Sequence, residues 1–236
     1  SNVGDSRMQI FNSDGSQAEM CGNGIRCLAR YLFSTSKYCS QKELRIETLA
    51  GLIIATQTDD KSICVDMGQP FLEPSKIPTT LSKNSIGLPQ GKVTIENKTI
   101  DIYSVGMGNP HLITYIDNIR DVPILRWGPL LESNEMFPSK TNVHFVSTLS
   151  KEKLHLKVWE RGSGETMSCG TGACASAVCS ILLGKVNKTL TVSLSGGDLT
   201  IKWNGIGEPV LMTGEAQFVY AGEISLDRQS IITNLF

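Results

Sequence analysis

No stretch of this chain approaches the roughly 18 to 20 consecutive apolar residues of a membrane-spanning helix, and the opening "SNVGDSRMQIF" has neither the basic nor the apolar region of a secretory signal. Neither charge sign dominates. With 22 basic side chains against 23 acidic ones, there is no field to gather nucleic acid or an anionic membrane. Cys-x-x-Cys and paired-histidine spacings are missing, which argues against a metal centre. Each Gly-x-Gly lacks the third glycine of a dinucleotide loop, and no Gly-Lys-Ser/Thr follows as in a phosphate loop. These absences leave a cytoplasmic protein with a small-molecule partner. Its seven cysteines, an odd number in a chain too long to need disulfide staples, read as reduced thiols.

What is present is an ordinary globular composition: 236 residues, 40% hydrophobic and 19% charged, enough for one large or two modest domains. Period-two alternation with turn residues between marks hairpins in "ELRIETLAGLIIATQ", "KVTIENKTIDIYSV" and "LTVSLSGGDLTIKW". "SICVDMG", "HLITYID", "TNVHFVSTL", "KLHLKVWERG" and "VLMTGEAQFVYAGEI" read as further strands. Helices are expected only over 22–36, 123–132 and 170–183. The division expected is a lobe of residues 1–113, including a surface connection at 70–92, and a second lobe of 114–236.

Two short segments carry the chemistry. "MCGNGIRC" places Cys21 before Gly22, and "MSCGTGACASA" places Cys169 before Gly170, each at the start of a predicted helix. "QIFNSDGSQAEMCGNG" and "KVWERGSGETMSCGTG" align without a gap, cysteine on cysteine and Asn12 on Glu160, which suggests duplicated lobes. The first N–H groups of a helix are unpaired and partly positive, so a glycine-flanked helix start can cradle a carboxylate. A cysteine there is also favoured as thiolate. Two such thiols facing one carbon could remove a proton from one side and return one on the other. Cys27, Cys39, Cys64, Cys174 and Cys179 read as small buried hydrophobes. Cys169, Cys174 and Cys179, five residues apart on a helix, do not share a face for a metal. Asn109-Pro110 reads as a turn pair; His144, His155 and Trp159 read as strand or core residues.

"MCGNGIRC" and "WERGSGETMSCGTGACASA", with "FNSDGS" before the first and "GMGNPH" and "TNVHF" between the two, resemble the signatures of diaminopimelate epimerase. The resemblance implies an α+β fold of two similar lobes, each a curved, mostly antiparallel sheet around a central helix. It implies cofactor-independent inversion of one α-carbon of LL-diaminopimelate to the meso form, in lysine and peptidoglycan precursor synthesis. Carried onto this chain, Cys21 and Cys169 become the acid–base pair. Gly22, Asn23, Gly170 and Thr171 would offer N–H groups to the carboxylate. Asn12, Asn109, Asn142, Glu160 and Arg161 would contact substrate, and His111 would assist proton movement. Neither metal nor cofactor is implied, and a homodimer stays open. The family's usual first strand, with a further asparagine, has no counterpart here, so an incomplete first lobe and an unstable or inactive fragment are expected. A cofactor-independent proline or hydroxyproline racemase, and a non-catalytic thiol switch, are the alternatives.

Overall fold

A computed structural model of the chain describes residues 1, 3–11, 15, 17–59 and 61–223. The architecture is α+β. The first half holds β1 (Ser6–Arg7), β2 (Ile10–Phe11), β3 (Gln17–Ala18), α1 (Gly22–Phe33), β4 (Glu43–Thr48), β5 (Gly51–Gln57) and β6 (Ser62–Asp66). Then come β7 (Ser82–Lys83), β8 (Pro89–Ile95), β9 (Lys98–Gly106), β10 (Pro110–Tyr115) and α2 (Ile124–Glu132). The last part holds β11 (Asn142–Ser150), β12 (Lys153–Glu160), β13 (Gly164–Thr166), α3 (Gly170–Leu182), β14 (Thr189–Leu194), β15 (Gly197–Trp203) and β16 (Val210–Glu215).

Among the described residues one sheet runs β1-β4-β5-β6-β16-β15-β14-β12-β11-β10-β9-β8-β7, with β13 on β12 and β2–β3 as a separate hairpin. The join between chain halves is β6 against β16, antiparallel, with Met212 opposite Val65. Residue 113 lies inside β10, which pairs with β9 on one side and in parallel with β11 on the other. The two halves share a local order: a hairpin (β2–β3 or β12–β13), a cysteine, a helix, then another hairpin (β4–β5 or β14–β15).

Local chemistry explains these elements. On α1, Ile25, Ala29 and Phe33 recur every four residues and are buried, whereas Cys27 and Tyr31 face out, the stripe of a helix lying on a sheet. Helix α3 is buried on nearly all sides through Ala173, Cys174, Ala175, Ala177, Val178 and Cys179. Its small side chains let β9 to β12 and β14 to β16 close around it. Helix α2 presents Gly128 to Trp159, whose ring lies 2.4 Å from where a β-carbon would stand. The β8–β9 turn holds Glu96 and Asn97 at φ 49° and 69°, the left-handed pair of a tight hairpin.

Several expectations need correction. Cys27 and Cys39 are exposed and Cys64 is half-buried; only Cys174 and Cys179 behave as buried apolar groups. The stretch 70–92 is not wholly superficial, because Ile77, Leu81 and Leu88 are buried and β8 begins at Pro89. The last expected strand stops at Glu215, before the exposed Phe218, Val219 and Tyr220.

Candidate active site

Both motif cysteines are helix N-caps in extended backbone, Cys21 at φ −139° and Cys169 at φ −132°. The Cys21 carbonyl accepts from Ile25 N–H and the Cys169 carbonyl from Ala173 N–H, both at 2.9 Å. That leaves the N–H groups of residues 22–23 and 170–171 outside the helical ladder. Cys21 Sγ accepts from Gly24 N–H at 3.4 Å, and Cys169 Sγ lies 3.5 Å from the Thr171 hydroxyl.

The two helix starts meet over one residue of β16. A β-carbon on Gly22 would stand 2.6 Å from Met212 Cε, and one on Gly170 would stand 3.1 Å from Met212 Sδ and 3.7 Å from Asn23 Oδ1. A side chain at either position would have to displace the end of the Met212 side chain. Asn23 Oδ1 is buried and has no hydrogen-bond partner among the described residues, 3.7 Å from where a β-carbon on Gly170 would stand.

Around Cys169 lies a closed corner. Burial pushes its thiol up to about 12, Glu160 adds to this, and the Thr171 hydroxyl and Gly172 N–H oppose it. His111 and His144 are fully buried, with His111 Nδ1 2.8 Å from His144 Nε2 and His111 Nε2 2.8 Å from Asn109 Oδ1. An amide oxygen can only accept, so His111 carries its proton on Nε2, and His144 donates from Nε2 to His111 Nδ1. His144 Nδ1 is then a bare lone pair, buried without a partner among the described residues. Burial lowers the pKa of both rings, His144 to about 3 and His111 well below its ordinary value, with His144 and Arg161 adding to the effect on His111. Neutral imidazoles with that low basicity form a wall beside the thiol and are poor proton donors to it.

His111, His144 and Cys169 bring ligand atoms within 4.8 Å of one another. The nearest ring nitrogens point at each other across a shared proton, so their lone pairs do not converge as a metal site needs. A separate surface groove between Gln69–Lys76 and Trp203–Gly207 holds neither cysteine.

The remaining expected residues that are described make hydrogen bonds near β10, β12 and β13. Asn142 donates from Nδ2 to Pro110 O and accepts at Oδ1 from Arg161 N–H, both at 3.0 Å. It thereby ties β10 to the turn after β12. Glu160 accepts from the Thr166 hydroxyl at 2.6 Å. The exposed Arg161 donates from Nη1 to Ser139 O at 2.9 Å. Asn12 lies outside the described residues. Two contributors went unread in the sequence. His144 is one, and its neighbour Gly172, whose β-carbon would stand 2.0 Å from His144 Cε1, is a glycine the motif alone does not explain. Glu132 is the other: buried on α2, it accepts from Trp159 Nε1 at 2.7 Å and Gly162 N–H at 3.2 Å, and so holds the Glu160–Arg161 turn.

The fold is shared with solved structures of low sequence identity. A hydroxyproline epimerase from Agrobacterium vitis superposes with a TM-score of 0.63 at 16% identity, over 89% of this chain and 67% of that one; that likeness is one of fold. The sequence is closer to another group. The diaminopimelate epimerase family pattern matches residues 1–72 and 103–219. A diaminopimelate epimerase from Prochlorococcus marinus (strain MIT 9313) is 50% identical over 222 residues, covering 94% of this chain and 73% of its own. One from Methanococcus maripaludis (strain S2) is 44% identical over 230 residues, covering 96% and 82%. The chain belongs to the diaminopimelate epimerase family.

Proposed function

We propose that this protein epimerises diaminopimelate without a cofactor, using Cys21 and Cys169 as a two-base pair, and so supplies the meso isomer for lysine and cell-wall precursor synthesis. The observation that carries this reading is the meeting of two cysteine-capped helix starts over Met212. A substrate carboxylate placed there would receive N–H groups from Gly22, Asn23, Gly170 and Thr171. Two partial positive ends would stabilise the charge that develops as the α-proton leaves.

The step balances simply. One sulfur, as thiolate, takes the α-proton and becomes a thiol, and the electron pair stays on the α-carbon, delocalised toward the carboxylate. The opposite thiol gives its proton to the other face and becomes the thiolate. The enzyme ends in the mirror protonation state, and the reverse reaction uses the same path. The distal amino-acid head has polar partners of both signs in Glu160 and Arg161, with Asn109 and Asn142 beside them. Asn12 and Thr171 complete the proposed contacts, and His111, with His144, supplies the neutral wall behind Cys169.

The test is reaction of LL-diaminopimelate in heavy water. Solvent deuterium is expected at the inverted carbon, together with loss of turnover in both Cys21→Ala and Cys169→Ala. Unchanged rates in both variants, or turnover of proline but not diaminopimelate, would overturn the proposal.

A further inference from the structure

The turn that carries Glu160 and Arg161 is held from outside. It is closed by Ser163 N–H on Glu160 O at 3.0 Å, which leaves the N–H groups of its two central residues, Arg161 and Gly162, without a partner inside the turn. Both residues are exposed, and Gly162 stands at φ 77°. Side chains from two other elements take these donors. Asn142 of β11 accepts from Arg161 N–H at 3.0 Å, and Glu132, the last residue of α2, accepts at Oε1 from Gly162 N–H at 3.2 Å.

Glu132 is the less expected of the two. It is buried, 8% exposed, and stands at the C-terminal end of a helix, where the macrodipole disfavours a negative charge. What it meets there are donors. Its Oε2 accepts from Trp159 Nε1 at 2.7 Å, and Lys140 Nζ lies 3.6 Å from Oε1. A carboxylate offers two acceptor oxygens and no donor, so it satisfies an indole N–H and a backbone N–H at once. A glutamine of the same shape would set its own N–H against one of them, leaving a buried donor unpaired.

Those two donors belong to the residues on either side of Glu160–Arg161, so Glu132 grips the dipeptide at both ends. The hairpin around it is otherwise tied in few places. Glu160 pairs with Gly164 across β12 and β13, and its carboxylate accepts from the Thr166 hydroxyl at 2.6 Å. Arg161 Nη1 donates to Ser139 O at 2.9 Å, in the segment that follows α2 and returns through Thr141 N–H to Glu132 O at 3.1 Å.

We infer that Glu132 is a positioning residue for the distal head of the substrate, locking the turn that sets where Glu160 and Arg161 stand. The inference rests on the diaminopimelate reading above, in which those two side chains take that head. Glu132 then governs substrate capture and leaves the chemistry of the two thiols alone.

The test compares wild type, Glu132→Gln and Glu132→Ala by native-state trypsin cleavage mapped by mass spectrometry, and by steady-state kinetics with LL-diaminopimelate. Trypsin cuts after arginine, so the Arg161–Gly162 bond reports on the turn directly. In Glu132→Gln, cleavage there should quicken about tenfold, the factor for one lost hydrogen bond to a charged acceptor, with cleavage at other lysines and arginines unchanged. KM should rise about tenfold while kcat stays within about twofold, the mark of lost binding and not of lost chemistry. Should Glu132→Ala fail to fold, Glu132→Gln, which keeps the side-chain volume, makes the comparison. Unchanged cleavage at Arg161 in Glu132→Gln, cleavage that rises equally at every site, or a KM that stays at the wild-type value would overturn the inference. A wild-type protein that does not turn over diaminopimelate would refute the proposed substrate instead, and cleavage at Arg161 would still decide whether Glu132 holds the turn.

Discussion

Gly172→Ala separates intrinsic helix preference from tertiary packing at the candidate site. Position 172 lies in the first turn of α3, where alanine in an open helix would stabilise by about 1 kcal/mol. Here the added methyl would stand 2.0 Å from His144 Cε1, 2.6 Å from Nε2 and 2.7 Å from Nδ1. The ring is fully buried and held by His111 at 2.8 Å, so it has no open space to enter. Overpacking of this kind costs about 1–3 kcal/mol, and breaking the His–His hydrogen bond adds about 1 kcal/mol. Net destabilisation of about 1–3 kcal/mol follows, a fall in melting temperature of about 3–10 °C for a chain of this size. Thermal unfolding followed by circular dichroism measures it. Combining Gly172→Ala with His144→Ala should cost less than the two changes added, with a coupling of about 1 kcal/mol or more. A Gly172→Ala protein that melts at or above wild type would refute the packing argument.

Glu160→Gln removes the carboxylate that, after burial, holds up the Cys169 thiol. Alkylation of Cys169 at pH 9 should quicken about tenfold, and an unchanged rate counts against the contact. Acid should destabilise the fold through its buried rings: unfolded His144 takes up a proton near 6.5 but the folded ring only near 3. Stability is therefore lost as pH falls through that window, by about 3 kcal/mol for this ring by pH 4.5. Urea unfolding at pH 7 and 4.5 should show the loss, reduced in His144→Gln; an equal pH effect in both proteins would refute it. Asn97→Gly should relieve the left-handed backbone at φ 69° and raise stability by about 0.5–1 kcal/mol, with no gain in melting temperature as the contrary result.

The helices and hairpins were largely legible because their signals are local. Ile25, Ala29 and Phe33 repeat at the helical period, the cysteine–glycine turns mark where α1 and α3 begin, and the β8–β9 and β14–β15 turns fall among polar residues or glycines. Reading failed where partners are remote. Nothing in "NVHFV" distinguishes His144 from a strand residue until His111, 33 residues away, supplies its hydrogen bond. Glu132 is the last residue of the helix expected over 123–132, and only its contacts to Trp159 and Gly162 tie it to the turn after β12. Cys27 and Cys39 read as buried because cysteine usually is, yet they stand on outward faces.

By itself the order of residues determined the helices and most hairpins, the two cysteine-capped helix starts and, through long motifs, the family, since each is written in spacings of a few positions. Only the folded sheet decided that β16 lies against β6 and brings Met212, Gly22, Gly170 and Arg26 to one point. Charge, burial and close approach at that point come from chain segments up to 190 residues apart. No local pattern encodes them, because desolvation and packing depend on what fills the surrounding space.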